Sequence, residues 1–298
     1  MDRCALIVNP SKQGAAALSE AFRSRCARAG MEAMVFETTV EDPGGGMARE
    51  ALAGGARLVV VGGGDGTVRA AAGVLAGTGT PLAVVPLGTG NLLCRNLGIP
   101  IDDQGAALEA AFGGRERSID VAWASLDGGD ERAFVVMAGI GLDATIMANT
   151  DDDLKAKAGW LAYVASAART IAGDSRRIRV DVDGHLVADR RQRGVMVGNC
   201  GSIQGNVEVF PGAAVDDGLL DVLAVAPRGV LGWVRVAGTL LSRVRRRAPR
   251  DLGHFTGRTV RAAAADPHDV QLDGDHLGLA RVLAVRIEDR ALTVRVPS

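Results

Sequence analysis

The chain has 298 residues, 47% of them hydrophobic and 23% charged, which is enough apolar material for two domain-sized cores. Its net charge of −1 gives no bulk attraction to nucleic acid or to an anionic membrane, so an anionic partner must meet a local patch. Aromatic residues make up 3%, too few for the stacking platforms of a single-stranded nucleic-acid binder.

The N-terminal part alternates strand and helix. Ala5–Val8 is a short apolar strand. Ala15–Ala29 predicts a helix, with Leu18, Phe22 and Cys26 at four-residue spacing and Gly30 as its stop. Ala33–Phe36, Leu58–Val61 and Leu82–Val85 read as further strands, and Pro43–Ala53, Thr67–Leu75, Gly90–Leu97 and Gly105–Phe112 as helices. Continuous apolar strands between helices are the mark of a buried parallel sheet, here a doubly wound α/β domain over residues 1–122.

From Trp123 onward the pattern changes. Phe134–Ala138 is a strand, and Arg177–Val182 alternates polar and apolar up to the tight hairpin signal Asp183-Gly184. Val195–Val197, Leu219–Val225, Thr259–Ala263, Val282–Ile287 and Leu292–Val296 follow as strands, with Asp289-Arg290 turning into the last. Helical stretches Lys155–Ala172 and Gly229–Arg245 interrupt them. Residues 123–298 therefore predict a β-rich second domain of sandwich type.

Two glycine turns carry the chemistry. Val59–Val61 runs into Gly62-Gly63-Gly64-Asp65-Gly66-Thr67-Val68-Arg69, and Leu82–Val85 runs into Pro86-Leu87-Gly88-Thr89-Gly90-Asn91. Each is a strand meeting a glycine turn that opens a helix, at the sheet end where open α/β folds bind ligands. Glycines let main-chain N–H groups approach phosphate oxygens, and the helix start adds partial positive charge. The pair suggests a nucleotide held by backbone, with Asp65 among its phosphates. Asp65 is equally explained as a turn residue or helix cap, and Thr67, Thr89 and Asn91 as N-caps. There is no Gly-x4-Gly-Lys-Ser/Thr, so a nucleotide is not held in P-loop fashion. Gly139-Ile140-Gly141-Leu142-Asp143-Ala144 matches a dinucleotide fingerprint, but no acidic strand end follows at the required distance, and close packing is the simpler explanation.

Gly63–Thr67 and Pro86–Asn91 together resemble the signatures of the diacylglycerol kinase catalytic-domain family, which includes soluble bacterial lipid kinases. That family is related to sphingosine kinases and more distantly to NAD kinases. Asn9-Pro10-Ser11-Lys12-Gln13-Gly14, Ala213–Asp221 and Gln271–Asp275 resemble the same family, in the same order along nearly the whole chain. The resemblance implies ATP and Mg²⁺ as cofactors and a lipid hydroxyl, with diacylglycerol the leading case, as substrate. It implies nucleotide contacts at Asn9, Pro10, Ser11, Gly14, Thr39, Gly63, Gly64, Asp65, Gly66, Thr67, Val68, Arg69, Gly88, Thr89 and Asn91. It implies a structural Mg²⁺ at Asp217 with the carbonyls of Ala214 and Leu219, a donor set that suits this ion. Asp65, Asp273 and Asp275 are the catalytic candidates, and which of them accepts the hydroxyl proton stays open. Asp275 stands where the family normally has Glu, Arg69 where Asn is common and Cys94 where Ala is common. The last strand, about 288–298, returns to the first domain in such relatives; periodicity alone does not decide it here. An NAD kinase-like enzyme and a nucleotide-binding regulator without catalysis are the alternatives.

Cys4, Cys26, Cys94 and Cys200 form no Cys-x-x-Cys pair, so no zinc or redox motif is read and a reduced cytoplasmic setting is expected. No secretory hydrophobic region and no run of about 20 apolar residues occurs. A lipid substrate would thus be reached by peripheral membrane contact. Arg243, Arg245, Arg246, Arg247 and Arg250 form a solvated basic face or, alternatively, an interfacial anchor. The four histidines have no metal spacing. A homodimer fits such a family, but no interface signature stands out.

Overall fold

The computed structural model describes residues 1–141, 175–203, 207–210, 212–227, 232 and 252–298. The chain divides into two compact units. The first contains Met1–Val121, Ala133–Val135 and Glu288–Ser298, and the second contains Ala122–Arg132 and Val136–Ile287.

In the first unit the apolar runs become parallel strands β1 (Arg3–Val8), β2 (Glu32–Glu37), β3 (Ala56–Gly63) and β4 (Leu82–Pro86). They lie in the order β2-β1-β3-β4. Cys4–Val8, Val59–Val61 and Leu82–Val85 are buried on both faces, which is why they read as unbroken apolar runs. Helices α1 (Ala15–Arg28), α2 (Gly45–Ala53), α3 (Asp65–Leu75), α4 (Leu92–Leu97) and α5 (Gln104–Gly113) cover the sheet or follow it. Helix α1 buries Leu18, Phe22 and Cys26, and the Leu and Phe each stabilise it by ~1.5–3 kcal/mol. It ends where Gly30 turns left-handed at φ 67°.

Helix boundaries shift from the sequence reading by about two residues, for local reasons. Asp42 accepts hydrogen bonds from the amides of Gly44 and Gly46, so α2 opens behind Asp42 rather than at Pro43. Helix α3 starts at Asp65 rather than Thr67, and α4 at Leu92 rather than Gly90. Strand β5 (Arg115–Leu126) went unread, because its charged first half hides the buried Ile119–Ala122 segment.

The second unit is β-rich. It holds β6 (Arg132–Phe134, whose last two residues belong to the first unit), β7 (Met137–Ile140), β8 (Arg176–Val182), β9 (His185–Gln192) and β10 (Gly194–Gly198). Short strands β11 (Ser202–Ile203) and β12 (Val207–Glu208) precede β13 (Leu220–Val225), β14 (Leu252–Gly257), β15 (Thr259–Leu272) and β16 (Asp275–Val296). Antiparallel pairing runs β14-β13-β10-β7-β15-β16, with β8 also on β15 and β9 on β8. Asp183 (φ 49°) and Gly184 (φ 77°) make the two-residue turn between β8 and β9 that the Asp-Gly pair predicts.

Two sequence expectations are corrected. Phe134–Ala138 is not one strand. It breaks at Val135-Val136 into β6 and β7, where the amides of Val136 and Met137 turn to a side chain instead of a ladder. Asp289-Arg290 does not end a strand, because β16 runs through it with Arg290 at φ 49°. The Arg290 amide is held at 2.7 Å by the buried Asp120 carboxylate, and β16 finishes beside β4 through the parallel pair Val294–Leu82. The expected helix Lys155–Ala172 and the arginine run 243–250 lie outside the described residues, as does Gly229–Arg245 apart from Gly232.

Candidate active site

In the first unit the parallel register brings the C-terminal ends of β1, β2, β3 and β4 side by side, through Val8–Glu37, Val8–Gly62 and Gly63–Pro86. All the expected nucleotide residues follow those ends. Asn9 donates its amide to Gly62 O, and its Oδ1 accepts from the Ser11 amide (3.0 Å) and hydroxyl (2.7 Å). Pro10 and Ser11 are exposed, and Gly14 takes φ 88° to open α1. Thr39 is exposed, with its hydroxyl accepting from the Asp42 amide.

The two glycine turns meet. The Leu87 amide donates to Gly63 O at 2.9 Å, and a Cβ on Gly88 would lie 2.7 Å from the Gly64 Cα. Asp65 Oδ1 accepts the Leu92 amide at 2.7 Å, and its Oδ2 faces Gly90, where a Cβ would approach to 2.6 Å. Asp65 thus places a carboxylate at the start of α4, where the partial positive charge of the helix favours it. It is not the cap of its own helix, since Gly64 holds that position. Asn91 sits at the N-cap of α4 at φ 47°, yet its Nδ2 donates to Gly88 O at 2.7 Å and caps nothing. Thr67 and Val68 are buried in the first turn of α3, Gly66 and Arg69 are half-buried and Thr89 is exposed. Cys94, where the family commonly has Ala, is buried. Burial, then the nearby Asp65 charge, pushes its thiol up to about 12.

In the second unit Asp273 and Gly274 form a two-residue turn at φ 48° and 91° between β15 and β16. Asp273 is only 4% exposed. Its Oδ1 accepts the amides of Val136 (2.9 Å) and Met137 (2.8 Å), and its own amide donates to Met137 O. Gln271 Oε1 accepts the Gly274 amide, which fixes the turn from the other side. Asp275 is exposed on the first position of β16, and its neighbour His276 pairs with Asp269 at 2.8 Å. Asp65 belongs to the first unit, and Asp273 and Asp275 to the second.

Asp217 accepts the Leu219 amide at 3.0 Å across the turn closed by Gly218 at φ 69°. Partial burial, then the charges of Asp221 and Asp216, hold its carboxyl above the usual range. A cation there would offset that repulsion. Among the described residues no group of three or more His, Cys, Asp or Glu is placed to hold a metal. A cation at Asp217 would therefore depend on main-chain oxygens such as those of Ala214 and Leu219. Gly139 and Gly141 lie against Gln271 and Arg193 O, the close packing expected of them, and Leu142–Ala144 lie outside the described residues. Sequence reading passed over Asp120, although a lone acid inside the apolar run Ile119–Ala122 was a signal that it is buried with a partner.

The model of the diacylglycerol kinase catalytic domain matches residues 3–124, and that of the YegS C-terminal NAD kinase beta sandwich-like domain matches residues 135–296. A protein of Pseudomonas aeruginosa (strain UCBPP-PA14) named as a probable lipid kinase, YegS-like, is 33% identical over 91% of this chain and 86% of its own length. This chain belongs to the YegS-like lipid kinase family. A Pseudomonas syringae pv. tomato protein of the same name is 36% identical over 63% of the chain and 61% of its own length. The solved structure of a candidate diacylglycerol kinase from Bacillus anthracis str. Sterne superposes with a TM-score of 0.76 at 25% identity, covering 99% of this chain and 97% of that one. The α/β domain followed by a β-sandwich is thus the architecture of YegS-like lipid kinases.

Proposed function

We propose that this YegS-like lipid kinase transfers the γ-phosphate of Mg–ATP to the free hydroxyl of diacylglycerol. The observation that carries this reading is the contact of the two glycine turns through Gly64, Gly88 and Asp65. Backbone packed this closely leaves main-chain amides, rather than side chains, to face phosphate oxygens. ATP would lie over Gly63–Arg69 and Gly88–Asn91, with Asn9, Pro10, Ser11, Gly14 and Thr39 along the neighbouring strand ends. Mg²⁺ would neutralise charge on the phosphates near Asp65, and a second, structural Mg²⁺ would sit at Asp217, Ala214 and Leu219.

We assign different roles to the two remaining acids. Asp273 is buried and its Oδ1 is committed to two amides, so it positions the turn. Asp275, exposed and two residues on, is the proton acceptor. The lipid hydroxyl loses its proton to Asp275 as its oxygen bonds to the γ-phosphorus. The bond from that phosphorus to the β–γ bridging oxygen breaks, giving a phosphate monoester and ADP. An Asp in place of the family's usual Glu is shorter by one methylene but carries the same base.

The test is transfer of labelled γ-phosphate from Mg–ATP to diacylglycerol, monoacylglycerol, sphingosine and ceramide in mixed micelles, with NAD as the soluble control. Labelled phosphatidic acid is the expected product. Label on another lipid would replace the substrate, label on NAD alone would replace the substrate class, and ATP binding without transfer would leave a regulator.

A further inference from the structure

The second unit carries a groove of about 500 Å³ that contains none of the candidate site residues. Its volume is that of a small-molecule pocket. Strand alternation builds it. Ile178, Val180, Val260, Ala262, Leu283 and Val285 point into the core, so Arg179, Asp181, Arg261, Ala284 and Arg286 stand on the opposite face. Register sets Arg261 directly across from Asp181 on β8 and from Ala284 on β16. Ala284 and Ser125 are short, which leaves room between the charged walls.

The walls are already paired. Arg286 forms a two-pronged bridge to Glu131 at 2.8 and 2.7 Å and lies over the Trp123 ring. Arg179 forks onto Asp181 at 2.9 and 3.0 Å, so the cross-strand carboxylate that Arg261 would use is already engaged. Among the described residues Arg261 makes no ion pair. Three guanidinium groups therefore face two carboxylates; Arg261, on the middle strand, shares the field of Asp181 with Arg179 but has no ion-pair contact of its own, which leaves the groove one positive charge in excess.

We propose that this groove is a binding site for a phosphate-ester anion, taken by Arg261 between Arg179 and Arg286. Guanidinium forks match phosphate oxygens, and a tetrahedral anion can share several of them at once. Arg261 lies near the start of β15 and Asp273 in the turn just past its end, with residues 262–272 between them, and the groove shares no residue with that turn, so this site is distinct from the catalytic turn and independent of the reading given to it. The ester is either a soluble phosphorylated metabolite or the headgroup of an anionic lipid.

Inorganic phosphate, glycerol 3-phosphate, and phosphatidylcholine vesicles with and without phosphatidic acid distinguish these sources when titrated against the full chain by calorimetry and co-sedimentation. Arg261→Gln should weaken binding about ten-fold or more, the loss expected for one charge-assisted contact. Asp181→Asn, which releases Arg179, should strengthen it. Arg281→Gln, an exposed arginine outside the groove, and Asp275→Asn should leave it unchanged. An effect with glycerol 3-phosphate assigns a soluble ligand, and an effect with phosphatidic acid vesicles alone assigns a lipid headgroup. Absence of saturable binding to every probe, or equal losses in Arg261→Gln and Arg281→Gln, overturns the proposal.

Discussion

Gly88 lies against Gly64 so closely that any Cβ at position 88 would come within 2.7 Å of the Gly64 Cα. The obstacle is main chain, which cannot swing aside as a side-chain tip would. Gly88→Ala should therefore part the two turns, costing about 1–3 kcal/mol and weakening ATP binding measured by calorimetry. Gly113→Ala is the contrasting case, since a Cβ there meets nothing within 4 Å. It should leave ATP binding unchanged and Tm equal or slightly raised.

Asp273 and Asp275 should separate by what their loss affects. Asp273→Ala removes the acceptor of two buried amides and puts Ala at φ 48°, so a loss of about 2–4 kcal/mol is expected in urea melts, along with lost turnover. Asp275→Asn should keep Tm within experimental error and lower kcat by two orders of magnitude or more, roughly the contribution of a positioned base. A normal kcat in Asp275→Asn would move the proton acceptor elsewhere.

Magnesium should stabilise the fold through Asp217. The carboxyl sits above its ordinary range because burial and two neighbouring acids disfavour its charge, and a bound cation reverses that balance. Thermal melts with and without Mg²⁺ should show a rise in Tm for the unmodified chain that Asp217→Asn lacks. Equal shifts in both would place the ion at another site.

Asp183 gives a pH signature. Hydrogen bonds from the Thr259 and Arg258 amides and the Thr259 hydroxyl hold its carboxyl below the ordinary value of 3.8. A lowered folded-state value adds stability that is present above pH 3.8 and lost as pH falls through the lowered value. The group is largely exposed, so the contribution is small. Asp183→Asn, which keeps the left-handed turn, should be destabilised near neutrality and match the unmodified chain in strong acid.

Strands β1, β3 and β4 were legible because burial on both faces writes them as unbroken apolar runs, whereas the charged first half of β5 hid that strand. The glycine turns were legible for a related reason. A Cβ at Gly88 would meet main chain and one at Gly90 would crowd the Asp65 carboxylate, so glycine is favoured at both and its spacing shows in the chain. The partners of Asp65 and Asp273 were not legible. Leu92 lies 27 residues from Asp65, and Val136 lies 137 from Asp273, and both bonds are made by amides that any residue type supplies. The groove around Arg261 was hidden in the same way, since β5, β8, β15 and β16 each contribute only a few side chains to it.

Leu292, Val294 and Val296 are buried in the first unit, although they are among the last residues of the chain. Gly77 donates its amide to Ala291 O, and Arg295 pairs with Glu116 and Gly114 O, so this segment also fastens the loops around β4 and β5. The consequence is one of timing. During synthesis the first unit is left with an open sheet edge until the segment from Glu288 onward has been made. Its completion waits on translation of the whole second unit, which makes the pair of units a single product of synthesis rather than two independent ones.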